Sequence, residues 1–216
     1  MFSIIIGLSL ALSSIIETSS WAIRSYSIKN NKGLFIARTN IYLYGGRFFL
    51  LLFATGLSFL VDTNASARDI SLVISASYLV AALVHFVLIK NETKIFLDKR
   101  ILAFLKLSYV DLNSKNVFHL KLFIFSLISA AFFCCAMIAP YTLETQFPEY
   151  RITVSGLSQF INSLGTIILL FTVDPILYNL LDKNKLSASI SSYTIGRLIG
   201  YLIGSFIAFI PYLLFE

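Results

Sequence analysis

Six long apolar stretches dominate the sequence, each close to the roughly 20 residues a helix needs to cross a bilayer, and they leave the chain few folds to choose from. With soft edges they cover residues 2–22, 34–61, 70–89, 122–143, 152–173 and 192–214. Backbone amides in hydrocarbon must be satisfied internally, and none of these stretches alternates as a lumen-facing strand would. The expected fold class is therefore all-α: a polytopic membrane protein, six transmembrane helices in a bundle, with residues 1–216 forming a single transmembrane domain. Composition agrees: 57% of residues are hydrophobic and 13% charged, against roughly 25% charged in a soluble domain, and the mean hydropathy is +0.83. The first stretch lacks a basic leading segment and a small-residue cleavage site, so it reads as a retained span, not a signal peptide.

The net charge of +6 would suggest nucleic acid in a soluble protein, but here it sets topology. Of the 17 Lys and Arg residues, 12 fall in loops one, three and five, while loops two and four hold only Arg68 and Arg151. Loops rich in Lys and Arg stay cytoplasmic, so both termini are expected outside and no nucleic-acid partner is expected. The third loop, 90–121, is the only long one. Its segment 95–110 (IFLDKRILAFLKLSYV) is either a helix lying in the cytoplasmic interface beside anionic lipids or a solvated linker. The loop divides the chain into two three-span halves, which an odd span count would orient oppositely, as in transporters built from inverted repeats. No sequence repeat aligning the halves stands out by eye.

Ionisable groups inside spans cost about 2.5 kcal/mol or more each and usually face a protein-lined or wet interior. Glu17 and Arg24 fall two turns apart on one face of the first span and can pair with each other. Arg38, Asn40 and Arg47 lie in the second span, with Asn40, Tyr44 and Arg47 on one helix face. Arg197 begins the sixth span, and Asp174-Pro175 closes the fifth, the proline ending the helix. Arginines at these depths outnumber acids. Either they snorkel to headgroups, or they await an anion such as a lipid pyrophosphate, which the guanidinium fork binds through two parallel hydrogen bonds. Ser155, Ser158, Asn162 and Gly165 line one face of the fifth span, and Gly196, Gly200 and Gly204 one face of the sixth. Both series suit helix packing, and the first also suits a polar path.

No phosphate-binding loop, zinc-protease or serine-hydrolase motif is present, and the adjacent Cys134 and Cys135 form no metal-ligand pattern. No catalytic residue, metal or cofactor is expected, and so no enzyme. His85 and His119 read as interfacial residues rather than as ligands or a proton relay.

The strings ETSSWAIR (17–24), ARTNIYLYGGR (37–47), PEYRITVSGLSQFINSLGTIILLFTVDP (148–175) and GRLIG (196–200) resemble the Amj family, the alternate lipid II flippases of bacteria. The resemblance implies a multi-pass protein of the bacterial cytoplasmic membrane that carries an undecaprenyl-pyrophosphate-linked saccharide, lipid II, from the inner to the outer leaflet. Such a protein serves peptidoglycan and cell-wall synthesis and cell shape, with membrane lipids and cell-wall synthesis proteins as its surroundings. It carries a functional role to Glu17, Arg24, Asn40, Arg47, Glu149, Arg151, Ser158, Asn162, Asp174 and Arg197. Arg38 joins them as an inner-half arginine. The expected mechanism has these arginines capture the pyrophosphate while the prenyl tail stays in lipid. The headgroup then passes along the second and fifth spans towards Arg151 as the two halves rock. The alternatives are a flippase for another polyprenyl-linked glycan and a non-transporting membrane interaction protein whose charges pair internally or with a partner.

Overall fold

A computed structural model describes residues 2–29, 32–112 and 116–214, and among these it contains helices and turns but no strand. Helix α1 (Phe2–Arg24) runs into a short 3-10 turn (Ser25–Lys29), followed by α2 (Lys32–Asp62), α3 (Ala67–Leu88) and the short α4 (Asn91–Phe104). Then come α5 (Leu120–Gln146), α6 (Arg151–Ile168), a π-helical turn (Leu169–Val173), α7 (Asp174–Asp182) and α8 (Leu186–Leu214). Six stretches are long and apolar enough to cross a membrane, with α6, the π turn and α7 counting as one continuous span, Ile152–Asp182. Both described ends of the chain lie at one end of the bundle, the terminal end. The opposite end carries α4.

That continuity corrects the expectation that Pro175 stops the fifth span near residue 173. Proline removes one backbone donor, and here the helix widens by one residue so that the Asp174 amide bonds the Leu169 carbonyl while Pro175 occupies the first turn of α7. The helix expected at 95–110 also shifts, to Asn91–Phe104. Lys106 takes a left-handed conformation (φ 54°), and the Leu107 amide closes back on the Leu102 carbonyl at 2.8 Å, which ends the helix. Ile101, Leu102 and Asp98 are buried against Ile23, Tyr26 and Phe35, so α4 is docked under the bundle and is no solvated linker.

Across the bundle the helices pack in the order α2, α1, α3, α8, α5, α6, with α3 against α8 as the largest contact. Counted as spans the order is two, one, three, six, four, five. Each three-span half therefore packs its own first helix between its other two, and the halves meet through their third helices. Glycines permit the closest approaches: a Cβ on Gly196 would fall 2.0 Å from Ser126 Oγ and one on Gly200 2.5 Å from the Ala130 Cβ, so α8 and α5 touch nearly backbone to backbone.

The structure exposes a repeat that the sequence hides. Their ends match: the second and fifth spans, Lys32–Asp62 and Ile152–Asp182, close on aspartates 120 positions apart. The turns that follow match too. Asn64 and Asn184, also 120 apart, are both left-handed (φ 57° and 56°). The amides of Asn64 and Ala65 bond Val61 and Leu60, and those of Asn184 and Lys185 bond Leu181 and Leu180. Around these turns the sequence reads LVDTN at 60–64 and LLDKN at 180–184. The two halves are thus related by inversion, since each contains three spans.

Candidate functional site

The polar groups that cost most to bury gather where α1, α2, α3, α7 and α8 converge towards the α4 end. Arg197 on α8 is 3% exposed and donates from Nη2 to the Glu17 carboxylate of α1 and, at 2.7 Å, to the Tyr201 hydroxyl. Tyr193 donates to the other Glu17 oxygen at 3.2 Å. Residues 193, 197 and 201 share one face of α8 at intervals of four, so one stripe presents the guanidinium with a phenol on either side. The Nε and Nη1 donors of Arg197 are buried and have no partner among the described residues. Buried donors of this kind call for an acceptor, whether water or an anionic ligand.

One helical region further on, Arg24 is 1% exposed at the end of α1. Its Nε bonds Thr39 Oγ1 at 3.1 Å and its Nη2 bonds Asn40 Oδ1 at 2.6 Å, both on α2, while its guanidinium lies over the Trp21 ring at 4.1 Å and 6.0 Å from the Tyr178 ring of α7. Asp174 lies within electrostatic reach of both Arg24 and Glu17. The cluster thus joins Glu17, Arg24, Asn40, Asp174 and Arg197, five of the residues singled out in the sequence, but with partners exchanged. Glu17 pairs with Arg197 and not with Arg24, because the α8 stripe is turned onto α1 while Arg24 is turned onto α2. Arg24 and Arg197 accordingly do not stand as bare surplus charges.

Arg38 leaves the site altogether. Its Nη1 donates to the carbonyls of Leu105 and Lys106, at 2.9 and 2.7 Å, and so caps the end of α4, where unpaired carbonyls and the helix dipole favour a cation. Ser158 is spent on packing, donating to the Ala136 carbonyl of α5 at 2.8 Å, and Gly165 rests on Phe132 and Phe133. Glu149 sits exposed in a 3-10 turn (Pro148–Tyr150) at the terminal end. The side chains of Arg151 and Ser155 lie outside the described residues.

Arg47 and Asn162 remain exposed, on α2 and α6, the two outermost helices of the arc. Arg47 has only a ring contact, 5.6 Å over Tyr44, among the described residues. Eleven residues, or three helical turns, along the same α2 face comes Ser58. Ser58 and Asp62 of α2, Glu144 of α5 and Ile152, Gly156 and Gln159 of α6 line a cleft of about 510 Å³ at the terminal end. Asn40, which bonds Arg24, and Arg47 and Ser58 thus share one face of α2, a polar stripe that runs from the Arg24 contact to this cleft.

Three participants were missed in the sequence. His85 is fully buried and not interfacial: its Nδ1–H donates to the Ala81 carbonyl and its Nε2 accepts from Thr18, each at 2.8 Å, while the ring packs 5.2 Å from that of Tyr201. Tyr193 and Tyr201 carried a signal, the four-residue spacing about Arg197, which the neighbouring glycine series obscured. His119 caps α5 by accepting from the Leu122 amide at 3.2 Å. Beneath the cluster, Asp98 of α4 is 1% exposed and accepts from the Tyr26 hydroxyl at 2.9 Å; burial pushes its carboxyl up to about 6, against the opposing pull of Lys94 and Tyr26.

The family described as Amj, "Alternate to MurJ", matches residues 64–213, a stretch that takes in α3 to α7 and nearly all of α8 and excludes α1 and α2. No curated protein and no solved structure matches the chain.

Proposed function

Because the chain belongs to the Amj family, alternates to MurJ, we propose that it is a flippase for a polyprenyl-pyrophosphate-linked saccharide, lipid II, moving it from the cytoplasmic to the outer leaflet without covalent change. The excess of Lys and Arg near α4 supports assigning that end to the cytoplasm.

The observation that carries this reading is the face of α2 that bears Asn40, Arg47 and Ser58. The buried Arg24 is bonded to it at the α4 end, with the Arg197 cluster behind, Arg47 is exposed partway along, and the cleft lies at the other end. A pyrophosphate entering from the cytoplasm meets Arg24 and the unpartnered donors of Arg197, passes Arg47, and reaches the cleft at the terminal end. The exposed position of Arg47 on α2 lets the prenyl tail remain in lipid. Moving an anion towards a positive exterior gains about 2.3 kcal/mol per charge per 100 mV, so the membrane field supplies a driving force.

The test is outer-leaflet exposure of labelled lipid II in cells lacking other flippases. Arg47→Ala removes a charge-assisted contact of about 1.5–3 kcal/mol, so exposure falls roughly tenfold or more, and Arg47→Lys keeps part of it. Unchanged exposure at equal protein level takes Arg47 out of the path. A second reading, a non-transporting interaction protein, draws on the internal pairing of Glu17 with Arg197. Purified protein in liposomes separates the two: transbilayer movement of the lipid supports the flippase, and its absence supports the rival.

A further inference from the structure

His85 of α3 and Asp98 of α4 are buried titratable groups that the headgroup path leaves unused, and a polar chamber connects Asp98 to the hydrogen-bond partner of His85. The chamber holds about 20 Å³, and its polar walls are Thr18 and Ser19 of α1, Lys94 and Asp98 of α4 and Thr194 of α8. A space of that size admits one water, and these side chains supply the polar partners it needs. Thr18 leads from the chamber to His85: its hydroxyl donates to Nε2 at 2.8 Å, and its oxygen keeps lone pairs that can accept from a water. On the other wall, burial raises the Asp98 carboxyl to about 6, so it exchanges protons readily near neutral pH. The line from Asp98 ends at His85, because Nδ1–H of that ring is tied to the Ala81 carbonyl. Beyond His85 lies the arginine centre. The ring packs 5.2 Å from that of Tyr201, whose hydroxyl accepts from Arg197, and Arg197 is within electrostatic reach of both His85 and Cys134 of α5. Glu17, next to Thr18 on α1, already balances Arg197, so a further positive charge at His85 has no partner. An anion on the free Nε and Nη1 donors of Arg197 would provide one.

We propose that His85 is a proton-binding site filled from the α4 end through Asp98, the chamber and Thr18, and that it takes up one proton when an anionic phosphate group occupies the free donors of Arg197. The proposal rests on the flippase reading for the source of that anion. In the transfer Asp98 gives its proton to the chamber water, the water passes one to the Thr18 oxygen, and the hydroxyl proton of Thr18 moves to His85 Nε2. Asp98 is left as a carboxylate beside Lys94 and regains a proton from the cytoplasm. The Thr18 bond is thereby reversed, with Nε2–H donating and the Thr18 oxygen accepting. The imidazolium that forms packs against the Tyr201 ring, a surface suited to a cation. Since the line ends at His85, the proton leaves as it came when the anion departs. None crosses the membrane, and the field still acts on the full charge of the headgroup.

The experiment uses full-length protein in micelles with nitrogen-15-labelled histidine. The probe is citronellyl-pyrophosphoryl-N-acetylglucosamine, a pyrophosphate diester with no group that titrates near neutral pH; sulfate stands in for free phosphate for the same reason. The chain has two histidines, so an H119Q sample identifies the His85 signals by magnetic resonance. Adding the diester is expected to move Nε2 of His85 in the parent from the unprotonated to the N–H position. Calorimetry in two buffers of unlike ionisation enthalpy then counts about one proton taken up per ligand. Uptake on binding makes affinity fall as pH rises, by about tenfold per pH unit between about pH 7 and 8.5, and H85Q flattens that profile. D98N keeps the count and slows uptake at least tenfold, read by a pH indicator in stopped flow. A His85 signal unmoved by bound ligand, an H85Q profile as steep as that of the parent, or uptake in D98N at the parental rate overturns the proposal. A response to the diester alone assigns the trigger to a lipid headgroup, and an equal response to sulfate assigns it to a free anion. Binding of neither overturns the proposal together with the anion site. Proton uptake without lipid movement in liposomes would keep the proton site and remove the flippase reading, while lipid movement without uptake would do the reverse.

Discussion

Replacing Glu17 by Gln isolates the contribution of charge to the buried centre. Arg197 is 3% exposed, its Nη2 serves Glu17 and Tyr201, and its Nε and Nη1 have no partner among the described residues, so Glu17 supplies its paired counter-charge. Two unit charges about 4 Å apart attract by about 4 kcal/mol at an effective dielectric of 20. Removing one partner of a buried pair typically costs about 3–5 kcal/mol. Gln keeps the shape and one acceptor, which retains about 1 kcal/mol of hydrogen bonding, so the expected loss is about 3 kcal/mol, or roughly a hundredfold in the folded-to-unfolded ratio. Unfolding can be followed in micelles by the fluorescence of Trp21, the single tryptophan, which sits one turn beyond Glu17 on α1. The double variant E17Q/R197M removes the stranded charge with its partner and should recover at least half of the loss. If E17Q unfolds within about 0.5 kcal/mol of the parent, or the double variant loses the sum of the single losses, the pair is not the coupled buried centre described above.

Two more outcomes follow from packing and from titration. Gly196→Ala would bring a Cβ to 2.6 Å from the Phe123 carbonyl, and should cost about 3 kcal/mol, whereas Gly45→Ala meets nothing within 4 Å and should gain up to about 1 kcal/mol, both read by thermal unfolding. For Asp98 the folded carboxyl titrates near 6, above its ordinary value of 3.8, so the folded state holds its proton while the unfolded chain has released it. Stability conferred by α4 docking is therefore highest below about pH 4, falls by roughly 3 kcal/mol as pH rises to about 6, and is level above. Hydrogen exchange of the α4 amides should show this slope in the parent and lack it in Asp98→Asn, and a slope of the opposite sign would contradict the burial of that carboxyl.

The hydrophobic runs made six helices legible, because twenty apolar residues in a row have only one way to satisfy their amides in lipid. Their packing order was not legible, since lipid-facing and protein-facing sides of such helices are equally apolar: α2 and α8 look alike in composition, yet α2 sits at the edge of the arc and α8 at its centre. Glu17, Arg24, Asn40, Asp174 and Arg197 could be picked out one by one because charge is costly in a span. Who pairs with whom depends on helix rotation, which a single strand of sequence does not encode, and so Arg24 was matched to the wrong partner. Arg38 looked like a substrate ligand because its role, capping a helix 67 residues away, leaves no local trace. The repeat escaped notice for a similar reason: what the halves share is backbone geometry around Asn64 and Asn184, with few identical side chains to announce it.

Those two asparagine turns have a consequence for how such a chain finds its direction. The backbone asks the same of both, yet they cap opposite rims of the bundle, and what separates them is that Thr63 and Ala65 on one rim are replaced by Lys183 and Lys185 on the other. The turn needs only the backbone of these residues and its carbonyl partners, while the side chains of Lys183 and Lys185, which the turn itself does not use, are the groups that a positive-inside bias would read. Insertion polarity and architecture are written in separate letters, free to change one without the other.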